Sequence, residues 1–131
     1  MVEKVDIRAA LADRPFFRGR APDNEAEAGA AFARLGRINN GEIFAGSYSG
    51  ATPWERHRNG DELVQVLDGV TTITILTAEG AERHELTGGQ FVVVPAGCWH
   101  RFETPDGVTV MTATPLPTDH SSAADPRMEE D

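Results

Sequence analysis

The stretch PWERHRNGDE, residues 53–62, decides how the rest of the chain is interpreted. It places Glu55 and His57 two residues apart, and side chains two apart on an extended strand point to the same face. The run Asn59-Gly60-Asp61 that follows is a turn signal, so Glu62 is predicted to begin the next strand. We therefore expect the side chains of Glu55 and His57 to point into one pocket. The turn should bring Glu62 close to them.

A second stretch, GQFVVVPAGCWHRF (residues 89–102), brings another histidine, His100, at the start of a further predicted strand. Glu62 is expected to point inward, because Val64 and Val66 share its strand parity and have the character of core residues. A buried carboxylate needs a partner, and a cation is the natural one. Two histidines with one or two carboxylates, delivered by two hairpin-like units, therefore indicate a metal site.

Length and charge narrow the class of protein. A chain of 131 residues is expected to form one domain with a real core. Its net charge of -9, from 21 acidic residues against 12 Lys plus Arg, argues against a nucleic-acid or anionic-membrane partner. The single cysteine, Cys98, excludes an internal disulfide. Residues 1–14 lack the apolar core of a signal peptide, so we expect a soluble, cytoplasmic protein.

The two ends of the chain differ in composition from its middle. Residues 2–13 show a weak helical pattern that predicts a short helix before Pro15. Residues 18–30 are polar and small, which is typical of a loop, and 31–35 favour a strand. We predict an N-terminal arm over 1–35 that packs on the body, a barrel over 36–116, and a flexible acidic tail over 117–131.

The middle of the chain is rich in Val, Ile and Thr, which favour strands. A tight hairpin turn is predicted at Asp68-Gly69, and further turn signals separate the other runs. Short strands at this regular spacing predict an all-β sandwich or barrel. The predicted strands cover residues 42–48, 62–67, 70–76, 81–86, 90–94, 98–103 and 108–114.

The two stretches resemble the paired motifs of the cupin family, over residues 44–114 or about half of the chain. The first motif has a glycine, His-x-His, three or four residues, a glutamate and a glycine, and is met in order by Gly50, Glu55, His57, Glu62 and Gly69. The second motif has a glycine, five residues, Pro-x-Gly, two residues and a histidine, and is met by Gly89, Pro95, Gly97 and His100. The intermotif segment also has the right length.

The resemblance implies an antiparallel double-stranded β-helix, the cupin jelly-roll barrel, with one divalent transition metal in its mouth. His57, Glu62 and His100 carry over as ligands, and the metal would be iron, manganese, nickel or zinc. The family contains dioxygenases and isomerases, so we expect a metal-dependent enzyme acting on a small organic molecule. A non-catalytic metal- or ligand-binding protein and a metal-free structural cupin are the alternatives, because fold alone does not fix the reaction. Small cupins are frequently homodimers.

Glu55 stands where the family has its first histidine. It is a candidate fourth ligand, and equally a candidate general base or a hydrogen-bonding group beside the metal. The remaining interpretation is an ion pair with Arg56 or Arg58. If Glu55 stands off the metal, the other three residues form a two-histidine, one-carboxylate face that suits iron(II).

Several other residues are given structural interpretations. Cys98 is expected to fill space as a small apolar side chain. Phe102 is expected either to wall the pocket or to fill the core. Trp54 and Trp99 have the opposite strand parity to the ligands, so we expect them on the outer sheet face or at a dimer contact. An edge strand over 42–48 is the other candidate for a dimer contact. Two histidines are expected to be solvated: His84 and His120.

Overall fold

The structure is a computed structural model that describes residues 2–129. Two short α-helices are present, α1 (Ile7–Ala12) and α2 (Glu25–Ala28), with 3-10 turns at Gly29–Ala31 and Pro126–Glu129. The strands are β1 (Phe17–Arg20), β2 (Phe32–Ile38), β3 (Gly41–Ala51), β4 (Trp54–His57), β5 (Glu62–Thr77), β6 (Gly80–Thr87), β7 (Phe91–Val94), β8 (His100–Pro115) and β9 (Thr118–Ser121). The all-β prediction and the short N-terminal helix are thus confirmed, and none of the helices described could cross a membrane.

The sheet is organised on the pairing of its two longest strands, β5 and β8. They run antiparallel from Leu63 opposite Ala113 to Ile75 opposite His100. β3 and β4 also pair with β8, and β6 and β7 pair with β5. Inward-facing Val, Ile and aromatic side chains of these strands form one core, which includes Tyr48, Val64, Val66, Ile73, Phe102, Val108 and Val110.

The predicted hairpin at Asp68-Gly69 is wrong, because β5 continues through it. The β5–β8 register shifts on both sides of this point, and Gly69 and Gly107 both have positive φ values, +79° and +105°. A Cβ on Gly69 would collide with the carbonyl oxygen of Gly107. The two glycines therefore let both long strands bend together, where local turn chemistry alone predicts a chain reversal.

The N-terminal arm contributes a strand that the sequence did not predict. The loop expected over 18–30 is wrong in part, because β1 pairs in parallel with β3, with Arg20 opposite Gly50. Gly50 has φ +108°, and a Cβ there would strike the backbone of Arg20. A glycine at this motif position is therefore what allows the arm to approach the barrel so closely.

The tail also departs from the prediction of flexibility over 117–131. β9 pairs antiparallel with β4, so Thr118–Ser121 is part of the sheet. Asp119 on β9 accepts hydrogen bonds from Arg56 Nε at 3.1 Å and Arg58 Nε at 2.7 Å. The tail is polar and has little apolar surface to bury. These charge-assisted bonds help to hold it against the sheet instead. The last two residues of the predicted tail lie outside the described residues.

The edge predicted over 42–48 is wrong, since β3 has neighbours on both sides. It pairs with β2 over Gly41–Gly46 and with β1 around Tyr48, while β8 lies on its other side. Its backbone groups therefore bond within the sheet and do not offer a free edge for a second copy of the chain.

Candidate metal centre

The three predicted ligands come from the ends of three strands that meet at one end of the barrel. His57 ends β4, Glu62 begins β5 and His100 begins β8. The two motif loops are tied together, since Ala96 N donates to Asp61 Oδ1 at 2.9 Å and Gly97 N donates to the His57 carbonyl at 2.9 Å. The turn residues around Asp61 and Gly97 thus hold the two motifs against each other.

The side chains of these residues converge on one point. Oε1 of Glu62 lies 3.3 Å from His57 Nε2 and 3.1 Å from His100 Nε2. The side chains are 5%, 2% and 0% exposed respectively, so the point is sealed from water on the protein side. Among the described residues none of these three atoms has a hydrogen-bond partner. Buried polar atoms are normally paired, so the arrangement fits a cation between them.

In each of the three side chains, the ring nitrogen or carboxylate oxygen that does not face the centre lies within hydrogen-bonding distance of another residue. Nδ1 of His57 lies 3.0 Å from Thr118 Oγ1, and Nδ1 of His100 lies 3.0 Å from the Cys98 carbonyl oxygen, to which it can only donate. Thr114 Oγ1 donates to Oε2 of Glu62 at 2.7 Å. In neutral His100 the Nε2 lone pair therefore faces the centre, and the bonds that orient metal-binding histidines are present.

Glu55 lies beside this group and, with His57 and His100, is itself placed to share a metal ion. Its carboxylate and donor atoms of His57 and His100 all fall within 4.8 Å of one another. Its side chain is 15% exposed, and Oε1 lies 3.7 Å from Nη2 of Arg20. The ion pair predicted with Arg56 or Arg58 is wrong, since Glu55 pairs with Arg20 and both of those arginines bind Asp119 on β9.

The group shifts the pKa values of its members in a consistent way. Burial acts to raise the pKa of Glu62, but its contacts with His100 and His57 outweigh burial and lower the pKa to about 2. Burial acts to lower the pKa of His100, but Glu62 and Glu55 outweigh it and raise the pKa. Burial raises the pKa of Glu55. A proton on His100 thus stabilises the carboxylates, a role that a bound cation would take over.

A cavity of about 350 Å³ opens above the centre. Its wall combines aromatic and aliphatic side chains, including Phe32, Phe44, Tyr48, Val64, Phe102 and Val110, with charged and polar ones that include Glu55 and Glu62. Phe102 serves both predicted roles, because it belongs to the core and also meets the His100 ring edge-on at 6.0 Å between centroids. The cavity has the size and lining of a small-molecule site.

Several cavity residues were missed from the sequence, and two of them are ionisable residues near Glu55. Arg20 lines the cavity, but it lies in the segment expected to be a loop. His120 was expected to be solvated and is exposed, yet it stands opposite Glu55 in the β4–β9 register and lines the cavity rim. No local signal in FRGR identifies Arg20, because its burial depends on contacts with Phe32 and Tyr48, which lie elsewhere in the chain.

The remaining predictions concern residues outside the cavity. Cys98 is partly buried against the core, as expected of a small filler. His84 is exposed and lies 3.2 Å from Glu82, as expected of a solvated histidine. Trp54 and Trp99 do face away from the ligands, but they are only 4% and 7% exposed and pack with Leu76 in a second cluster. A dimer contact through exposed tryptophans is therefore wrong.

Comparisons with known proteins identify the family to which this fold belongs. A family model described as a cupin domain matches residues 47–113. The search of curated proteins finds no match. A cupin-2 domain protein from Shewanella frigidimarina is 20% identical with a TM-score of 0.56, over 65% of this chain and 79% of that one. A hydroquinone 1,2-dioxygenase, PnpCD, solved with Cd²⁺ and 4-hydroxybenzonitrile, is 20% identical with a TM-score of 0.54, over 64% of this chain and 63% of that one.

An oxalate oxidase is also similar, at 15% identity and a TM-score of 0.55, over 62% of this chain and 46% of that one. At these identities the structural likenesses establish the fold and leave the reaction open. The family model spans just over half of the sequence and contains both the β4–β5 and the β8 ligand positions. The chain belongs to the cupin family.

Proposed function

We propose that this chain is a mononuclear metal-dependent enzyme, of dioxygenase or isomerase type, that acts on a small organic molecule. The metal would be held by His57, Glu62 and His100. The observation that carries the proposal is the convergence of three buried donor atoms that lack hydrogen bonds. Without a cation these atoms have only one another as partners, at 3.1 and 3.3 Å, and a cation at their common point would bind all three.

The donor set favours a transition metal with open coordination positions. Two imidazoles and one carboxylate are the face found in non-haem iron(II) oxygenases, and manganese, nickel and zinc also accept these donors. When bound, the metal supplies Lewis acidity, or dioxygen activation if it is iron. The residues of the chain fix the donors in place through Thr118, Thr114 and the Cys98 carbonyl.

The cavity supplies the substrate-binding part of the proposal. Its aromatic wall would exclude water and pack against a small organic molecule placed directly above the donors. Glu55 lines the cavity and lies near the two histidines, so its carboxylate could accept a proton from a substrate bound there. Because burial raises the pKa of Glu55, the carboxylate would also hold that proton better than an exposed glutamate does.

Two of the similar structures motivate the oxidative part of the proposal, while the likenesses themselves establish only the fold. Two of the similar structures are a dioxygenase and an oxidase, and the dioxygenase was solved with a divalent metal ion. One observation favours the alternative of a non-catalytic binding protein. Glu55 lies only 3.7 Å from Arg20, and a neighbouring positive charge makes a carboxylate a weaker base. Turnover of candidate substrates, measured as dioxygen consumption or product formation, separates the two.

The first test is the metal content of the purified protein, measured by mass spectrometry of the elements. We expect about one equivalent in the wild type, after reconstitution where needed, and loss of it in His100→Ala. The matched control is His84→Ala, since that histidine is exposed and remote from the cavity. A wild type that binds no iron, manganese, nickel or zinc would contradict the proposal and leave a metal-free structural cupin.

The homodimer also stays a proposal. Both contact surfaces suggested by the sequence fail, because the tryptophans are buried and β3 has neighbours on both sides. Size-exclusion chromatography with light scattering gives the mass in solution. A monomer at micromolar concentration would contradict the dimer and leave the metal-centre proposal unaffected.

A further inference from the structure

The N-terminal arm brings a positive charge to the mouth of the barrel. β1 runs beside β3, and the missing side chain at Gly50 lets the backbone of Arg20 come into contact with it. Arg20 is 8% exposed, which is rare for an arginine unless its charge is paired. The arm thus places a buried guanidinium beside a centre whose proposed ligands are already in place without it.

The guanidinium of Arg20 is held on several sides. It lies 4.5 Å from the centroid of the Tyr48 ring and 5.3 Å from that of Phe32. Its Nε donates to Oε2 of Glu25 at 3.0 Å, and Nη2 bonds the other oxygen of the same carboxylate. A bidentate carboxylate and two ring contacts fix the plane of an arginine. Nη2 is thereby fixed at 3.7 Å from Oε1 of Glu55.

Glu55 is the position where this chain departs from the two-histidine pattern of its first motif. A histidine there would be a neutral donor, whereas a glutamate is an anion that a divalent cation attracts strongly. Left to itself, a carboxylate within 4.8 Å of two metal-binding nitrogens would be drawn in as a further ligand. Oε1 of Glu55 lies 3.7 Å from Nη2 of Arg20, and Oε1 of Glu62 lies 3.1 and 3.3 Å from the same nitrogens.

We propose that Arg20 is a positioning residue that keeps Glu55 beside the metal and off it, so that the centre has three protein ligands and an open position toward the cavity. The inference rests on the proposed metal site and adds to it the reason why four candidate donors act as three. Arg20 competes with the metal for the carboxylate of Glu55, and Glu25 holds Arg20 in the place from which it can compete.

The test replaces Arg20 by methionine, which removes the charge and keeps a flexible stem against Tyr48 and Phe32. Cobalt(II) is the probe, because its visible absorption reports coordination number without any turnover. In Arg20→Met we expect cobalt affinity to rise about tenfold or more, and the spectrum to change toward higher coordination, as Glu55 joins the ligands. Arg20→Lys keeps a charge and should retain the wild-type spectrum.

The double variant Arg20→Met/Glu55→Gln completes the cycle, because it should return both affinity and spectrum to those of the wild type. Arg18→Met is the matched control, since Arg18 is the neighbouring exposed arginine of β1 and stacks on Phe16 at 5.0 Å. An unchanged spectrum and affinity in Arg20→Met would overturn the inference, as would a change that persists in the double variant.

Two further outcomes are told apart by the same series. If Arg20→Met does not fold, as judged by circular dichroism, Glu55→Gln alone decides the matter. Its cobalt spectrum should match the wild type, and a loss of affinity with lower coordination would show that Glu55 is a ligand and overturn the inference. If the wild type itself binds no cobalt, both the metal site and the role of Arg20 fail, and no variant will give a signal.

Discussion

The two faces of β4 and β8 carry opposite kinds of cluster. On the inner face, Glu55 lies directly opposite His100, and the buried donor atoms around them have no hydrogen-bond partners. On the outer face, Trp54 and Trp99 are buried with Leu76, and Trp54 Nε1 donates to the Ala124 carbonyl at 3.3 Å. One face is poised to bind a ligand, and the other is already packed.

Arginines complete the outer cluster. The guanidinium of Arg56 lies 4.3 Å from the Trp99 ring centroid, and that of Arg101 lies 4.6 Å from the Trp54 ring. Strand alternation puts these side chains and the donors on opposite sides of the same backbone. Binding residues and stabilising residues therefore lie on different faces. We expect that a substitution on one face will have little effect on the property that depends on the other.

The largest expected effect comes from the outer face. Trp99→Ala removes a buried indole, and we expect the free energy of unfolding in urea to fall by about 3–5 kcal/mol. The folded variant should bind metal as the wild type does, because Trp99 points away from the donors. Phe91→Ala is the control, since that ring is 58% exposed and its loss should change stability little. Metal lost along with stability would contradict the separation of the faces.

The next effect comes from the inner face and depends on pH. The pKa of His100 is raised above its ordinary value, and a metal needs the Nε2 lone pair, so binding must displace a proton. Below about pH 6.5 we expect affinity to fall by about tenfold, or 1.4 kcal/mol, for each pH unit. Glu62 stays ionised throughout, because its pKa is lowered to about 2.

Competition titrations between about pH 5.5 and 6.5 measure this slope. His84→Gln should keep it, because that histidine is exposed and remote from the donors. An affinity that is flat over the same range would mean that His100 carries no proton when metal is absent, and would contradict the proton's stabilising role at the inner face.

The smallest effect is expected from the contact between Arg101 and Trp54 on the outer face. Arg101→Met removes the charge over Trp54, and we expect a loss of about 0.5–1 kcal/mol in the free energy of unfolding with unchanged metal content. Arg83→Met serves as the control, because Arg83 is exposed and its ion pair with the half-buried Glu103 is long, at 3.8 Å. Equal losses in the two variants would show that the contact with Trp54 adds nothing.

Local spacing was enough to predict the barrel and the residues at its centre. Glu55 and His57 share a face because strand side chains alternate, and Glu62 is buried with Val64 and Val66 for the same reason. These relations depend only on neighbours in sequence. That His57, Glu62 and His100 bind metal stays a prediction. Their meeting at one point was implied by the resemblance to the paired cupin motifs, because His100 is far from the other two in sequence.

Contacts between distant segments could not be predicted in this way. FRGR has no apolar alternation, and Arg20 is buried only because Tyr48, Phe32 and Glu25 happen to surround it. The TDHS segment of β9 is equally polar, and its place in the sheet depends on the arginines of β4 that bind Asp119. A local sequence pattern carries no information about contacts of this kind between distant segments.

The distribution of the donors over β4, β5 and β8 has a consequence for how the protein folds. His57 and Glu62 are close in sequence, but His100 reaches them only after β5 and β8 have paired over segments far apart in the chain. Such non-local pairing forms slowly, because loop closure precedes the contacts that repay it. The complete donor set is therefore a late product of folding, and a bound ion should slow unfolding far more than it speeds folding.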